Sequence, residues 1–230
     1  MDPQVLKKLN QARAGRKAAV VATYLGDGRD RIVLEGDLVE GELGSAISQA
    51  FKSGKSAKLE VGSEPVFLNV HVPAPRLVVI GAVHISQALA PMAKVAGYEM
   101  TVIDPRTAFA TEERFQGTEL FPDWPEDVLK DRPLDAYTAL AAVTHDPKID
   151  DFPLTDALQN GCFYVGALGS RKTHGKRLER LAVEGASEEQ LNRIKAPIGL
   201  DIGAASPQEI AVAIMAEVIQ TFHNRGIGQA

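Results

Sequence analysis

Cysteine is nearly absent: Cys162 is the only one in 230 residues. A single thiol excludes an internal disulfide framework and any zinc site built on several cysteines, and it fits a reducing, cytoplasmic compartment. Positive charge is not in excess either. Lys and Arg total 25 against 30 Asp and Glu, a net charge of -5, which argues against a broad basic face, so no nucleic-acid partner is expected. No apolar run approaches the roughly 18 residues of a membrane span. The first residues, Met1-Asp2-Pro3-Gln4-Val5, lack the basic stretch and apolar core of a secretory signal. No membrane association is therefore expected. Internal repeats and low-complexity tracts are also missing.

What is present suits a packed core. The chain is 45% hydrophobic and 24% charged, and its length accommodates one large domain or two small ones. Two patterns divide it. Over residues 3–14, Val5, Leu6, Leu9 and Ala12 recur at helical spacing. Residues 17–24 read as a buried strand, 26–30 as a turn and 31–34 as the return strand of a hairpin. Residues 42–52 read as a helix stopped by Gly54, and 57–61 and 66–72 as strands around a Gly62-Ser63-Glu64-Pro65 turn. The expectation is a small α+β domain over residues 1–73. Pro73-Ala74-Pro75 forms a stiff, extended connector and marks the expected boundary. Over residues 76–230 strands (76–80, 100–104, 136–144, 162–166) alternate with helices (84–96, 152–160, 171–183, 188–194, 207–225). Ser206 caps the last helix, with Pro207 in its first turn. Such alternation predicts an α/β domain, a Rossmann-like parallel sheet with helices on both faces.

Ligands of open parallel sheets bind outside the carboxyl ends of the strands, so the loops that follow them hold the candidate site. Gly81-Ala82-Val83-His84-Ile85-Ser86 has the strand–turn–helix setting of a dinucleotide loop but only the first of its three glycines. Val83 stands where glycine would let the backbone approach a pyrophosphate. That weakens NAD(P) binding and leaves open a single phosphate or a differently posed nucleotide at the helix N-terminus. His84 reads either as a phosphate contact or as an exposed first-turn residue. Asp104 ends the second strand, where a ribose hydroxyl would be bound. Thr144, His145 and Asp146 bring hydroxyl, imidazole and carboxylate to the next strand end, for a polar ligand or, weakly, a metal. The alternative there is an Asp-Pro turn with a helix cap at Asp150 or Asp151. Gly166, Gly169, Ser170, Arg171 and Lys172 form the strongest anion-binding constellation, with close backbone approach, a capping hydroxyl, two cations and a helix dipole. Thr173, His174 and Lys176 extend it, and Arg171, Lys172, Lys176 and Arg177 make a local basic charge that the net -5 hides, so a phosphate pocket is not excluded. Gly199, Asp201 and Gly203 form a glycine-rich loop before the last helix. Cys162, at the start of an apolar strand, reads as a packed small hydrophobe, and no serine sits in a nucleophile elbow. No catalytic residue is expected.

The strings Tyr164-Val165-Gly166-Ala167-Leu168-Gly169-Ser170-Arg171-Lys172, Ile198-Gly199-Leu200-Asp201-Ile202-Gly203-Ala204 and Ser206-Pro207-Gln208-Glu209-Ile210-Ala211 resemble the xanthine dehydrogenase accessory protein family, the XdhC/CoxI group. Val102-Ile103-Asp104-Pro105-Arg106 and Thr144-His145-Asp146 look like its Rossmann domain. The resemblance covers residues 76–225 and is weak over 1–75. It implies a protein that binds molybdenum cofactor (molybdopterin, with or without a nucleotide extension), protects it and helps deliver its sulfurated form. The implied partners are a molybdenum hydroxylase client such as xanthine dehydrogenase or carbon monoxide dehydrogenase, a sulfurtransferase, and a second copy of the chain in a homodimer. It implies a cofactor chaperone rather than an enzyme. Gly81, Ala82, His84, Asp104, Arg106, Thr144, His145 and Asp146 would line the cleft, with the Gly166–Lys172 loop holding phosphate and Gly199, Asp201 and Gly203 closing the far side. Two departures stand out. The family's first turn reads Gly-Ala-Gly-His, here Gly81-Ala82-Val83-His84. Its N-terminal Gly-Gly-Cys-x-Glu motif meets Gly36-Asp37-Leu38-Val39-Glu40, with Leu38 in the place of the cysteine. Two other readings stay open: an NAD(P)-dependent oxidoreductase with a divergent loop, and a scaffold that binds the hydroxylase without cofactor.

Overall fold

A computed structural model describes residues 1–225; residues 226–230, the end of the expected 76–230 domain, lie outside the described residues. The described residues divide into two compact units, one of Met1–Pro73 together with residues 223–225, the other of Ala74–Phe222.

The first unit comprises α1 (Pro3–Ala14), β1 (Ala19–Tyr24), β2 (Asp30–Leu34), α2 (Gly41–Ser53), β3 (Ala57–Val61) and β4 (Glu64–His71). Its strands form an antiparallel sheet in the order β2-β1-β4-β3. Asp2 starts α1 by accepting the Gln4 amide, with Pro3 in the first turn. Leu9 and Ala12 of α1 pack on Ala19 and Val21 of β1. From α2, the buried side chains are Leu43, Ile47, Ala50 and Phe51. The turn expected over residues 62–65 is shorter. Gly62 adopts φ +62°, the left-handed conformation a two-residue hairpin requires, so Glu64 and Pro65 already belong to β4. Gly44 is obligatory, because a Cβ there would lie 1.7 Å from the Val39 carbonyl oxygen. The loop before α2 therefore folds against the helix, leaving Leu38 93% exposed.

The second unit runs β5 (Arg76–Ile80), α3 (His84–Val95), β6 (Glu99–Ile103), β7 (Glu119–Phe121), α4 (Pro125–Asp131), β8 (Thr138–Ala142), α5 (Pro147–Gln159), β9 (Tyr164–Ala167), α6 (Arg171–Val183), α7 (Glu188–Leu191), β10 (Ile194–Lys195) and most of α8 (Pro207–Asn224). All six strands are parallel, in the order β10-β9-β8-β5-β6-β7. Side chains alternate between two cores. Leu77, Val79, Ala139 and Ala141 face α3 and α8; Val78, Ile80, Leu140 and Ala142 face α4, α5 and α6. Each fully buried aliphatic contributes about 1.5–3 kcal/mol, which is why β5 and β8 carry apolar residues on both faces. The chain winds outward from β5 through β6 in one direction and through β8 in the other. The crevice at this reversal opens between the carboxyl ends of β5 and β8.

Several boundaries depart from expectation for identifiable reasons. The expected helix 152–160 starts five positions earlier at Pro147, because Asp146 accepts the Lys148 amide and a proline fills the first turn. Neither Asp150 nor Asp151 is the cap. The expected helix 188–194 ends at Leu191; a Ser187–Gln190 capping box opens it, and Ile194 and Lys195 instead pair with Val165 and Gly166. The expected strand 162–166 begins at Tyr164, since the Cys162 amide still bonds to Ala157 at the end of α5. Cys162 is fully buried, and burial pushes its thiol up to about 12. The expected strand 136–144 shortens to Thr138–Ala142, its entry fixed by Asp135, which accepts from the Tyr137 amide and the Thr138 hydroxyl. The periodicity predicts neither β7 nor α4. Among the described residues no helix is long and apolar enough to cross a membrane.

Candidate functional site

At the end of β5 the chain turns with Gly81 at φ +119°. A Cβ at Gly81 would lie 2.9 Å from Thr144 Cγ2 and 3.2 Å from Val143 Cγ2, so glycine is what lets the first and third loops touch. The Ala82 amide donates to Asp104 Oδ2 at 2.7 Å. Arg106 donates its amide and Nε to Oδ1, each at 2.9 Å, and Nη2 to Oδ2 at 2.8 Å. Asp104 is completely buried. Burial works to raise its pKa, but the Arg106 hydrogen bonds and the two amides outweigh it and hold the carboxyl below its ordinary value. Four donors fill the acceptor sites of a carboxylate, so the ribose contact expected of Asp104 has no lone pair left. Asp104 instead aims Arg106, whose guanidinium lies 4.8 Å from the Phe109 ring centroid. His84 is exposed at the first position of α3, and Val83 supplies no side-chain cap.

The third loop is held by Thr144, whose buried hydroxyl donates to Asp150 Oδ1 at 2.7 Å and accepts the Asp146 amide at 2.9 Å. Between them His145 is exposed at φ +65°, a left-handed conformation that costs a non-glycine residue about 1 kcal/mol or more. Asp150 is 1% exposed. Burial raises its pKa to about 6, against the Thr144 hydrogen bond and the Arg177 charge, and its Oδ2 has no hydrogen-bond partner. Among the described residues no group of three or more His, Cys, Asp or Glu is placed to hold a metal ion.

In the fourth loop the glycines divide by role. A Cβ at Gly166 would lie 2.5 Å from the Tyr164 hydroxyl and 2.7 Å from Ile198, so Gly166 makes room for packing, not for a ligand. Gly169 takes φ +140° just before Ser170, which caps α6 by accepting the Thr173 amide. The helix then presents Lys172, Thr173, Lys176, Arg177 and Arg180 along one face. With His145 and Pro147 they line a cavity of about 300 Å³. His145 and Lys172 are thus brought together; Arg171 is exposed and does not line the cavity. Arg180 is occupied by a two-point contact with Asp151, Nε to Oδ2 at 2.6 Å and Nη2 to Oδ1 at 3.1 Å. Arg177 is different. It is 3% exposed, donates Nη2 to the Leu168 carbonyl at 3.0 Å, and leaves Nε and Nη1 without partners. His174 Nδ1 is likewise buried and unpartnered, and burial, then the Arg177 charge, lowers the pKa of that imidazole.

The loop after β10 is mainly a packing element. Gly199 takes φ +89°, and a Cβ there would lie 2.9 Å from the Ile214 amide nitrogen of α8. Glu217 accepts both the Gly199 amide at 2.9 Å and the Tyr164 hydroxyl at 2.7 Å. Asp201 and Gly203 are exposed and do not line the α6 cavity. A larger cavity of about 710 Å³ runs along β6 from Arg76 and Glu99, at the amino ends of β5 and β6, to Ile103 at the carboxyl end of β6. Sequence reasoning counts Arg177 among the local basic charges without setting it apart from Arg171, reads Asp150 as a candidate cap, and misses Arg180. The signal that could have found them is the spacing of four in Lys172, Lys176 and Arg180, and in Thr173 and Arg177, which places all five on adjacent rows of one helix.

A doubly wound parallel sheet with its candidate loops gathered at the carboxyl ends defines a Rossmann-type domain. Residues 77–218 match the XdhC Rossmann domain model, and the chain belongs to that family. It is 31% identical over 157 residues to a probable xanthine dehydrogenase subunit of Bacillus subtilis (strain 168), covering 68% of this chain and 46% of that protein. It is 30% identical over 146 residues to the molybdenum cofactor insertion chaperone PaoD of Escherichia coli (strain K12), covering 64% of this chain and 40% of that one. The chain thus spans less than half the length of these curated relatives. A crystal structure of a xanthine dehydrogenase from Bacillus halodurans shares the fold, with TM-score 0.68 and 23% identity over 96% of this chain and 67% of that one.

Proposed function

We propose that the chain is a maturation factor that binds molybdenum cofactor and assists its sulfuration and insertion into a hydroxylase of the xanthine dehydrogenase or carbon monoxide dehydrogenase type. The supporting observation is the cationic cavity on α6, at the ligand-binding end of a Rossmann sheet whose relatives include a protein named for cofactor insertion. Molybdopterin carries a phosphate, and the unmet Nε and Nη1 donors of buried Arg177 are the kind of group a phosphate satisfies, so the residues present fit this part of the cofactor. When bound, the cofactor would bring the molybdenum centre that the client uses. The chain's part is to hold it: Ser170 and the first turn of α6 offer donors, Lys172 and Lys176 supply charge, and His145 and Pro147 form the opposite wall. With Leu38 where the family carries cysteine, no thiolate at that position assists. We read residues 1–73 and 76–230 as separate domains, with the second holding the cofactor. The chain acts in the cytoplasm as a homodimer, receiving sulfur through a sulfurtransferase partner.

A nicotinamide dinucleotide fits less well. Val83 carries a branched side chain at the start of α3, and Asp104 and the Ala82 amide are spent on each other. The test is pterin and molybdenum analysis of the full chain purified from a cofactor-producing host that also expresses the client hydroxylase. Retained pterin approaching one per chain is the expected result. Co-purification with the hydroxylase but without pterin would make the chain a scaffold and end the cofactor-binding reading.

A further inference from the structure

We infer that the α6 cavity is a site for a dianionic phosphate group and that Arg177, not the exposed Arg171, is its anchor. Three observations converge on this. Arg177 is 3% exposed yet has two nitrogens without partners. A guanidinium taken out of water with donors unmet is costly, and Asp150 and Asp151 attract it only through space: Asp150 spends Oδ1 on Thr144, while its Oδ2 has no hydrogen-bond partner. Second, Arg177 is one of the residues that line a cavity continuing through Thr173, Lys172 and Lys176. Third, the charges balance for a particular ligand. Arg180 is neutralised by Asp151, leaving Lys172, Lys176 and Arg177 facing the single carboxylate Asp150. A surplus of two positive charges matches a phosphate monoester dianion or a diphosphate rather than a singly charged diester.

The geometry also says how the anchor is held. Arg177 Nη2 is fixed on the Leu168 carbonyl, and Gly169 at φ +140° lets the loop pass over the guanidinium, a Cβ there lying 4.0 Å from Nη2. The cation therefore stays in place when the cavity is empty, so little ordering is needed on binding. The Ser170 cap and the α6 dipole add a favourable potential at the cavity mouth. At about 300 Å³ the space holds a phosphoryl group and the first atoms attached to it, with the remainder of the ligand outside. The ligand's identity as the cofactor phosphate rests on the maturation reading above; its charge class does not.

The test titrates the full-length chain with inorganic phosphate, pyrophosphate, AMP and cyclic AMP, followed by calorimetry and phosphorus NMR. Saturable binding of the first three, with cyclic AMP weaker by tenfold or more, is expected. Arg177→Met should weaken phosphate binding about 100-fold, Lys176→Ala about fivefold, and Arg171→Ala not measurably. Circular dichroism checks folding. If Arg177→Met does not fold, the solvent-facing double variant Lys172→Ala with Lys176→Ala decides, with a loss of tenfold or more expected and a shallower salt dependence. Equal affinity for cyclic AMP and AMP, no saturation at high millimolar phosphate, or unchanged binding in both variants would overturn the site. Pterin analysis separates the two proposals. A folded Arg177→Met chain that retains pterin at the wild-type level overturns the Arg177 anchor and leaves the maturation reading standing. Phosphate binding lost in Arg177→Met, in a wild-type chain that never retains pterin, supports the anchor and overturns the maturation reading.

Discussion

The two loops that could receive an anion are built on opposite principles. At the turn after β5, the Gly81 and Ala82 amides and the Asp104 carboxylate that sequence reading offered to a ligand are answered from within, and only His84 stays exposed. Gly81 and Ala82 donate to Ile103 and Asp104, and Asp104 is filled by Arg106. Around α6 the polar groups are left open, with Arg177 Nε and Nη1, Asp150 Oδ2 and His174 Nδ1 all buried and unpartnered. A Rossmann domain usually concentrates phosphate binding at its first turn. Here the first turn serves as a structural joint, and the buried donors without partners lie one strand beyond β8, on α6. Replacing the middle glycine by Val83 fits that division, because a joint has no need for close approach by a pyrophosphate.

The largest expected effect tests the closed half. Asp104→Ala removes the acceptor for the Ala82 amide and the Arg106 side chain, and should cost about 4 kcal/mol in urea unfolding at neutral pH. A loss below about 1 kcal/mol would show that the joint is not closed in the way described. The next tests the open half. The pKa of Asp150 is about 6 in the folded chain against an ordinary value of 3.8. The folded protein therefore keeps a proton that the unfolded chain releases, so stability falls as pH rises from about 4 to about 6, by up to about 3 kcal/mol, and is level above that. The groups around Asp150 are Thr144 on the loop before α5, Asp151 beside it on α5 and Arg177 on α6, with Arg106 across the crevice. Asp150→Asn should abolish that decline when unfolding is followed at pH 4, 5, 6 and 7; the same slope in both proteins would place the titration elsewhere. The smallest effect is the control: Arg171→Ala should leave stability within about 0.5 kcal/mol of wild type, since its side chain stands outside the cavity.

Much of this architecture is legible from local chemistry. β5 and β8 announce themselves as runs apolar on both faces, and α1, α2 and α8 by spacing and caps. The early start of α5 is written in Asp146-Pro147, a cap followed by a first-turn proline, but Pro153 and the acidic run before it mask that signal. β7 has only three residues and β10 two, too short to show a period, and each exists because a neighbouring strand offers a free edge. In the site, residue types point correctly to loops and not to roles. Gly166 and Gly199 read as room for a ligand and turn out to make room for Tyr164 and α8. Arg177 is legible as one local basic charge among several, but its burial is not, because an arginine in a polar helix reads as solvated. Its burial depends on the Leu168 carbonyl and on α5, contacts that no window of sequence contains.

A buried cation with unmet donors also makes occupancy and durability one quantity. Whatever fills the α6 cavity binds the folded chain and not the unfolded one, so it stabilises the fold by mass action, about 2.7 kcal/mol at a hundred times the dissociation constant. An empty chain is then the one that opens more often and is cut first by a protease, and a filled one persists. The same two nitrogens of Arg177 would thereby set how long the protein lasts while the cavity is empty.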